Sequence, residues 1–158
     1  MVRNISFEEW GRRWGNPALI VSILSSNAQQ FTISASKYAA RCFKKSFQQG
    51  GFYKTGKKWK KRTRNYRHPI LIETGELMNS IKYMKVKSKG VSKYEGKVQT
   101  NEKYGNRRGK KDIGYAAVHN EGVNDRIVIP RRQFMGHNDT MYREIGLLYN
   151  RMLVARLL

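Results

Sequence analysis

Apolar positions between residues 18 and 49 recur at helical spacing. Four of them are separated by four, three and four residues: Phe31, Ala35, Tyr38 and Cys42. That spacing places them on one face of an α-helix. No proline or glycine interrupts the segment, and Gly50-Gly51 follows it as a helix terminator. We therefore predict one long helix or a broken pair over residues 18–49, with Cys42 buried on the apolar stripe.

A different pattern precedes that helix. Trp10 and Trp14 are four residues apart and would share one helical face, and Gly15-Asn16-Pro17 then breaks the element. Residues 1–27 are therefore expected to form an N-terminal arm or helix. It packs either on the core of its own chain or on a neighbouring subunit.

Residues 66–80 join the first half of the chain to the second. Pro69 restricts the residue before it to an extended conformation. A short apolar run follows, and Thr74 stands where the N-cap of a helix would be, with Leu77 in the first turn and Ser80 near the end. The stretch predicts a buried anchor followed by one short helix.

The second half of the chain is predicted to contain more strands. Residues 81–87 form a plausible strand, and apolar or small residues alternate with polar ones over residues 93–100, which together indicate a β-hairpin. Residues 101–114 are polar and glycine-bearing and predict a loop.

Three further elements close the chain. Tyr115 to Gly122 is typical of a short helix ended by glycine, and residues 126–129 of a brief strand ended by Pro130. A terminal helix follows, with Asp139 or Thr140 as its cap.

These elements define an α+β fold. A long N-terminal helix packs on a small antiparallel β-sheet, with short helices and a C-terminal helix around it. Since 158 residues suffice for one modest core, residues 28–158 are expected to form a single domain after the N-terminal segment 1–27.

Charge narrows the possible partners. The formal net charge is +21 and the sequence pI is near 10.4. Such a surface suits a polyanion, an acidic protein or an anionic lipid. The single cysteine excludes an internal disulfide and is typical of a protein made in a reducing cytoplasm. No stretch approaches the about 20 apolar residues that a membrane-spanning helix needs, so no membrane partner is expected.

Much of the charge lies in residues 52–67, which we call the basic arm. It contains eight cations: Lys54, Lys57, Lys58, Lys60, Lys61, Arg62, Arg64 and Arg67. No acidic residue occurs between Glu9 and Glu73. The arm is either a solvated loop or a surface that contacts phosphates or an acidic partner. Trp59 could stack on bases or could pin the loop. With few apolar anchors, the arm is expected to be mobile in the free subunit.

No catalytic constellation is visible. His68, His119 and His137 are scattered along the sequence, and His119 is expected to be a structural histidine on a helix surface. Glu73 and Glu76 suit the first turn of a short helix. No nucleophile, phosphate-loop or dinucleotide motif is present, so neither an enzyme activity, a metal nor a cofactor is predicted.

Four motifs in this order resemble the virion-morphogenesis and tail-completion proteins of Mu-like and related tailed phages. The first is a basic segment with a tryptophan, residues 57–62 (KKWKKR). The second is residues 71–81 (LIETGELMNSI), the third residues 115–122 (YAAVHNEG) and the fourth residues 129–136 (IPRRQFMG). The likeness extends from about residue 35 to the C-terminus. It does not cover the N-terminal segment or the loop 101–114.

The resemblance implies a structural protein of the head–tail neck. Its subunits would form a ring around the DNA channel between connector and tail, in contact with portal or connector proteins, tail proteins and packaged double-stranded DNA. It would be made in the bacterial cytoplasm and reside in the virion. The resemblance assigns structural roles to twelve positions of the motifs and the residues beside them: Pro69, Thr74, Gly75, Leu77, Ser80, Tyr115, His119, Gly122, Pro130, Arg132, Phe134 and Gly136.

Within that set, prolines would fix extended segments and glycines tight turns, while Leu77, Tyr115 and Phe134 would fill the core. Two alternatives remain open. One is a monomeric or dimeric nucleic-acid-binding protein that uses the basic arm. The other is a nuclease with dispersed carboxylates, for which Glu73 and Asp125 are candidates.

Overall fold

The computed structural model describes residues 17–64, 66–90, 92–100, 115–124 and 128–157. The predicted element around Trp10 and Trp14 and the predicted loop 101–114 lie outside the described residues. In the part that is described, no helix combines the length and the hydrophobicity that crossing a membrane requires.

One unbroken helix dominates the architecture. Helix α1 runs from Pro17 to Gln49, 33 residues, so the sequence alternative of a broken pair is excluded. It ends at Gly50, whose φ of 61° lies in the left-handed region. The Gly51 amide donates to the Ser46 carbonyl at 3.1 Å, which satisfies a carbonyl in the last turn. Residues 17–27 therefore belong to this helix.

The predicted hairpin is present, but it is divided into two separate strand pairs, which we call its tiers. After the short helix α2 (Glu76–Ser80), strands β1 (Lys82–Tyr83) and β4 (Val98–Gln99) pair antiparallel at its base. Strands β2 (Lys87–Gly90) and β3 (Lys93–Glu95) pair at its tip, with a register shift between Ser88 and Gly90. Residues 84–86, which lie outside the named strands, separate the tiers, although the Met84 amide still donates to the Lys97 carbonyl at 2.7 Å.

The remaining predicted elements follow in order, and one strand that was not predicted, β5 (Val123–Asn124), is added. Helix α3 spans Tyr115–Glu121, β5 pairs antiparallel with β6 (Val128–Ile129), and α4 spans Asp139–Leu157. The α+β class is thus confirmed. Instead of one sheet, the described residues form three separate two-stranded pairs.

The core lies where the C-terminal half of α1 meets the start of the basic arm, α2 and the start of α4. Its buried hydrophobic members are Ala40, Cys42, Phe43, Phe47, Phe52, Tyr53, Trp59, Leu71, Leu77, Ile81, Phe134 and Met141. The apolar face of α1 is wider than the predicted stripe, because Phe43 and Phe47 join Cys42 in the interior. The burial predicted for Cys42 is confirmed.

Both predicted helix caps were misplaced by one residue. Helix α2 is preceded by Gly75 in the left-handed conformation, with φ 74°. The Thr74 hydroxyl, one position earlier, donates to the Glu76 carboxylate at 3.0 Å and accepts from the Glu76 amide at 3.4 Å. At α4 the cap is Asn138, whose Oδ1 accepts from the Met141 amide at 2.8 Å. Asp139 is already the first helical residue. A side chain directly before the first turn reaches the third helical amide, which explains the preference for Asn138.

Candidate functional site

The start of the basic arm is part of the core. Phe52 and Tyr53 are buried. The Tyr53 amide donates to the Ser46 hydroxyl at 3.1 Å, and its carbonyl accepts from Asn138 Nδ2 at 2.6 Å. The arm therefore leaves the body from a point that is fixed by both α1 and α4.

A second attachment lies at Trp59. Its side chain is 7% exposed, and its indole N–H donates to the Gln133 carbonyl at 2.8 Å. The ring meets Phe47 edge-on, with centroids 5.6 Å apart and planes at 85°. Its amide also donates to the Gly50 carbonyl at 2.8 Å. Of the two roles considered from sequence, burial leaves Trp59 as the residue that pins the loop.

The far end of the arm is tied back by Arg62. Its guanidinium donates to the His68 and Pro69 carbonyls, both at 3.2 Å, and lies 4.8 Å from the centre of the Tyr66 ring. Together with Phe52 and Trp59, these contacts show that the expectation of few apolar anchors was wrong. Aromatic side chains inside a basic run serve here as anchors.

The cations of the arm form two groups: those that bind other groups of the same chain, and those that point outward without such a partner in the described part of the chain. The Lys54 ammonium pairs with Glu144 at 2.6 Å, and Lys58 donates to the Gln49 carbonyl at 2.6 Å, at the negative end of the α1 dipole. Seven of the eight arm cations are exposed, and five of these make no side-chain ion pair or hydrogen bond to the described residues: Lys57, Lys60, Lys61, Arg64 and Arg67. The outward group lies between and beyond the two anchors, so the fold presents it on a defined loop.

Glu144 is the centre of a polar cluster beneath the arm. Its carboxylate accepts from the Tyr38 hydroxyl at 2.9 Å and from the Tyr53 hydroxyl at 3.2 Å. The hydrogen bond from Lys54 is the main reason that the pKa of Glu144 lies below its ordinary value. Burial raises the pKa of Tyr38, the pKa of Tyr53 to about 12, and the pKa of the Cys42 thiol. At neutral pH both phenols and the thiol keep their protons, so the cluster is suited to structure and supplies no nucleophile.

The glycines of the sequence motifs occupy left-handed backbone. Gly75, Gly122 and Gly136 have φ values of 74°, 80° and 136°. At Gly122 a β-carbon would lie 2.9 Å from the Arg131 amide nitrogen, so space and conformation both require glycine there. The three predicted tight turns are confirmed.

The predicted core residues are confirmed where they are described. Leu77 is 4% exposed and Phe134 is 1% exposed. The side chain of Tyr115 lies outside the described residues. Pro69 is exposed and Pro130 is half-buried, and the Ser80 hydroxyl donates to the Leu77 carbonyl at 2.7 Å, closing the last turn of α2.

His119 differs from its prediction as a surface histidine. Burial, assisted by the positive charges of Arg132 and Arg62, lowers the pKa of His119 to about 4. Its carbonyl accepts from the amide of Arg132, a residue that is itself buried, at 2.8 Å. The histidine is therefore neutral at physiological pH and belongs to the packing between α3 and the segment after β6.

Asn120 was not anticipated from the sequence. Its Oδ1 accepts from the amides of Phe134 and Met135 at 2.9 and 3.0 Å. These bonds hold the segment that carries Phe134 and the carbonyl of Gln133, the acceptor for Trp59. An asparagine inside a short helix was the available signal, because that side chain often bonds neighbouring backbone instead of continuing a helix.

A second basic surface was also missed. The hairpin contains six exposed lysines: Lys82, Lys85, Lys87, Lys89, Lys93 and Lys97. Glu95 pairs with Lys89 at 3.0 Å and with Lys97 at 3.3 Å, so these three side chains share the outward face. Tyr94 lies on the opposite face, where its hydroxyl is 2.7 Å from that of Ser25 on α1.

Two of the candidate catalytic carboxylates are described by the structure. Glu73 and Glu76 are exposed on the surface around α2, and Asp125 lies outside the described residues. Among the residues that are described, no three His, Cys, Asp or Glu side chains cluster in a way that could hold a metal ion.

Comparisons with protein-family models, with curated proteins and with solved structures found no match. The resemblance to phage tail-completion proteins therefore stays a prediction that rests on the four sequence motifs.

Proposed function

We propose that this chain is a structural virion protein of the head–tail neck that assembles as a ring around the DNA channel. The four motifs suggest the family, and one structural observation carries the assembly. Large apolar side chains are exposed on both long helices: Val21 (47%), Leu24 (49%), Leu147 (58%) and Val154 (55%). Val21 and Leu24 are three residues apart and Leu147 and Val154 are seven apart, so each pair shares one face of its helix. Contiguous exposed apolar surface of this kind marks interaction sites.

Their placement follows from the antiparallel packing of α1 and α4. The Tyr38 hydroxyl bonds Glu144, and the rings of Phe31 and Tyr149 lie 4.7 Å apart. Residues after Tyr149 therefore continue towards the N-terminal end of α1. The exposed residues of α1 and Val154 accordingly lie towards the end of the molecule that is remote from the core.

The basic surfaces fit the same proposal. The five outward cations of the arm and the hairpin lysines would face either packaged DNA in the lumen or an acidic surface of a connector or tail protein. The phosphates of DNA and the carboxylates of an acidic protein both bind lysine and arginine, so neither partner requires a base-specific contact.

Light scattering coupled to size-exclusion chromatography tests the proposal. We expect multimers, formed by the protein alone or with its neck partners. Adding charge with Leu24→Glu and Leu147→Glu should shift the population to monomers. The matched control adds the same charge at exposed polar positions of the same helices, Ser26→Glu and Asn150→Glu, and should keep the multimers. A monomer under every condition would contradict the proposal that the protein forms a ring.

A second candidate function is nucleic-acid binding by a monomer or dimer. The observation that favours it is the anchoring of the arm at Trp59, which holds the outward cations on one loop. This reading predicts tight, salt-sensitive binding of duplex DNA without assembly. Scattering and binding measured on the same sample separate the two functions.

A further inference from the structure

We propose that a cleft between the basic arm and the segment after β6 binds a phosphate group. The cleft encloses about 520 Å³ and is lined by residues of both segments: Phe52, Thr55, Lys57, Lys58, Trp59, Arg131, Gln133 and His137. Ligand pockets commonly enclose about 300–1,000 Å³. The space therefore admits a phosphate together with the sugars of a nucleic-acid backbone.

Three permanent cations line this cleft, and one of them, Lys58, also donates to the Gln49 carbonyl. Lys57 and Lys58 come from the arm, and Arg131 from the chain after β6. No carboxylate lines the cleft, and none of these three cations belongs to an ion pair within the described ranges. An uncompensated concentration of positive charge in a concave site attracts anions more strongly than the same charges on a convex surface.

Neutral partners orient two of the cations. Arg131 Nη2 donates to Gln133 Oε1 at 2.9 Å, and Lys58 Nζ donates to the Gln49 carbonyl at 2.6 Å. These bonds restrict the side chains but cancel no charge. A guanidinium and an ammonium that line the same cleft supply several N–H donors, and phosphate oxygens are strong acceptors for them.

The base of the cleft is aromatic and rigid. Phe52 and Trp59 are 9% and 7% exposed, and the indole N–H of Trp59 is already bonded to the Gln133 carbonyl. Low-polarity walls strengthen the attraction between the cations and a bound anion.

His137 lies at the edge of the cleft. Its Nε2 is 2.7 Å from Asp139 Oδ1, and both side chains are exposed. Asp139 is outside the lining, and it is the carboxylate that faces this histidine. The three permanent cations therefore give the cleft its charge.

The bound phosphate group is either part of a nucleic-acid backbone or a free phosphate ion. The outward arm cations lie beside the cleft along the chain, so a backbone phosphate seated there could have its neighbours contacted by Lys60 and Lys61. The inference does not require ring formation, and it can hold if the neck proposal fails.

The test uses the full chain and a double variant, Lys57→Gln with Arg131→Gln. Both residues are exposed, so the fold should be retained, which circular dichroism checks. The matched control removes one lysine and one arginine at exposed positions of the two long helices, outside both basic surfaces, Lys45→Gln with Arg151→Gln. A labelled DNA duplex is titrated by fluorescence anisotropy at several salt concentrations, and inorganic phosphate by calorimetry.

We expect the cleft variant to weaken duplex binding about tenfold and to reduce the salt slope by about one, the share of one neutralised phosphate. The control should change the affinity less than about threefold. A pair that keeps the charge, Lys57→Arg with Arg131→Lys, should retain binding. If only phosphate binding is lost, the ligand is a free phosphate.

Equal losses in the cleft variant and in the control would overturn the proposal, because the charge would then act without a site. So would equal competition by poly-glutamate at matched charge, since the cleft would then prefer an acidic protein. Light scattering on the cleft variant separates the two proposals. An unchanged multimer with lost phosphate binding supports the cleft, whatever the assembly proves to be.

Discussion

The two halves of α1 are held in different ways. Between residues 36 and 47 the helix contributes six buried side chains: Ser36, Ala40, Cys42, Phe43, Ser46 and Phe47. Between residues 18 and 31 none of the side chains that are described is buried. Single polar and aromatic contacts, Ser25 with Tyr94 and Phe31 with Tyr149, attach this half to its neighbours.

Local sequence does not compensate for the missing packing. Residues 20–27 (IVSILSSN) combine β-branched residues with serine and asparagine, which are weaker helix formers than alanine or leucine. The packed half is stabilised by tertiary burial, and the open half continues a helix that the packed half has nucleated. A helix can thus serve as core at one end and as a contact surface at the other.

The largest loss of stability is expected when a buried side chain in the packed half of α1 is truncated. Phe47 is 1% exposed and meets both Trp59 and Phe134. Phe47→Ala should lower the free energy of unfolding by about 3–5 kcal/mol. Leu24→Ala, in the open half, should change it by less than about 0.5 kcal/mol. Denaturant titration followed by circular dichroism, at one protein concentration, measures both, and similar losses would erase the comparison.

The junction of α4 with the arm should rank next. Asn138 is 3% exposed, caps α4 and donates to the Tyr53 carbonyl. Asn138→Ala should cost about 2–3 kcal/mol, since both a cap and a partner of a buried carbonyl are lost. Asn138→Asp keeps the acceptor and should cost less. If Asp139→Ala or Thr140→Ala costs as much as Asn138→Ala in thermal unfolding, the cap is assigned to the wrong residue.

Acid should weaken the packing between α3 and the segment after β6 through His119. Its folded-state pKa of about 4 is lower than the ordinary 6.5, so the fold favours the neutral ring. The contribution is complete above pH about 6.5 and is lost as the pH falls towards 4, about 2 kcal/mol between pH 7 and pH 5. His119→Gln should flatten the unfolding free energy in that window. Glu144, with a lowered pKa, acts only below about 4.5, so a slope that survives the substitution contradicts this assignment.

The smallest effect is expected where the hairpin touches the border between the halves. A β-carbon on Gly96 would collide with the Ser36 hydroxyl and lie 3.1 Å from Thr32 Cγ2. Gly96→Ala should destabilise by about 1 kcal/mol, the low end for overpacking, because Gly96 is exposed and the hairpin can shift outward. Adding Ser36→Ala removes the colliding oxygen and should restore most of the loss, as a double-mutant cycle of unfolding free energies would show. Additive losses would mean that the hairpin sits elsewhere on α1.

Periodicity carried the sequence predictions furthest. The spacing of apolar residues and the terminating glycines located α1, α3 and α4, and alternation located the hairpin. The caps were missed because Asn138, Asp139 and Thr140 are three good capping residues in a row, and sequence alone does not rank them. Alternation also does not show that the hairpin is divided into two separate strand pairs.

The candidate site was predicted in composition but not in arrangement. The eight arm cations were identified, whereas the burial of Trp59 depends on a carbonyl 74 residues away along the chain. The contribution of Arg131 to the cleft depends on the same long-range packing. Such contacts are set by the tertiary fold and leave no periodic trace. The half-buried state of His119 was missed for the same reason.

The attachment of Trp59 has a consequence for the kinetics of partner binding. A free basic loop must lose chain entropy when it binds, but here folding has already restricted the loop at residues 52–53, 59 and 62. A partner meets cations that are already positioned, so less of the binding energy is consumed in ordering them. Trp59→Ala would free the loop without removing any charged residue. The rate of first encounter with a partner should then be unchanged, while the rate of forming the final complex should fall.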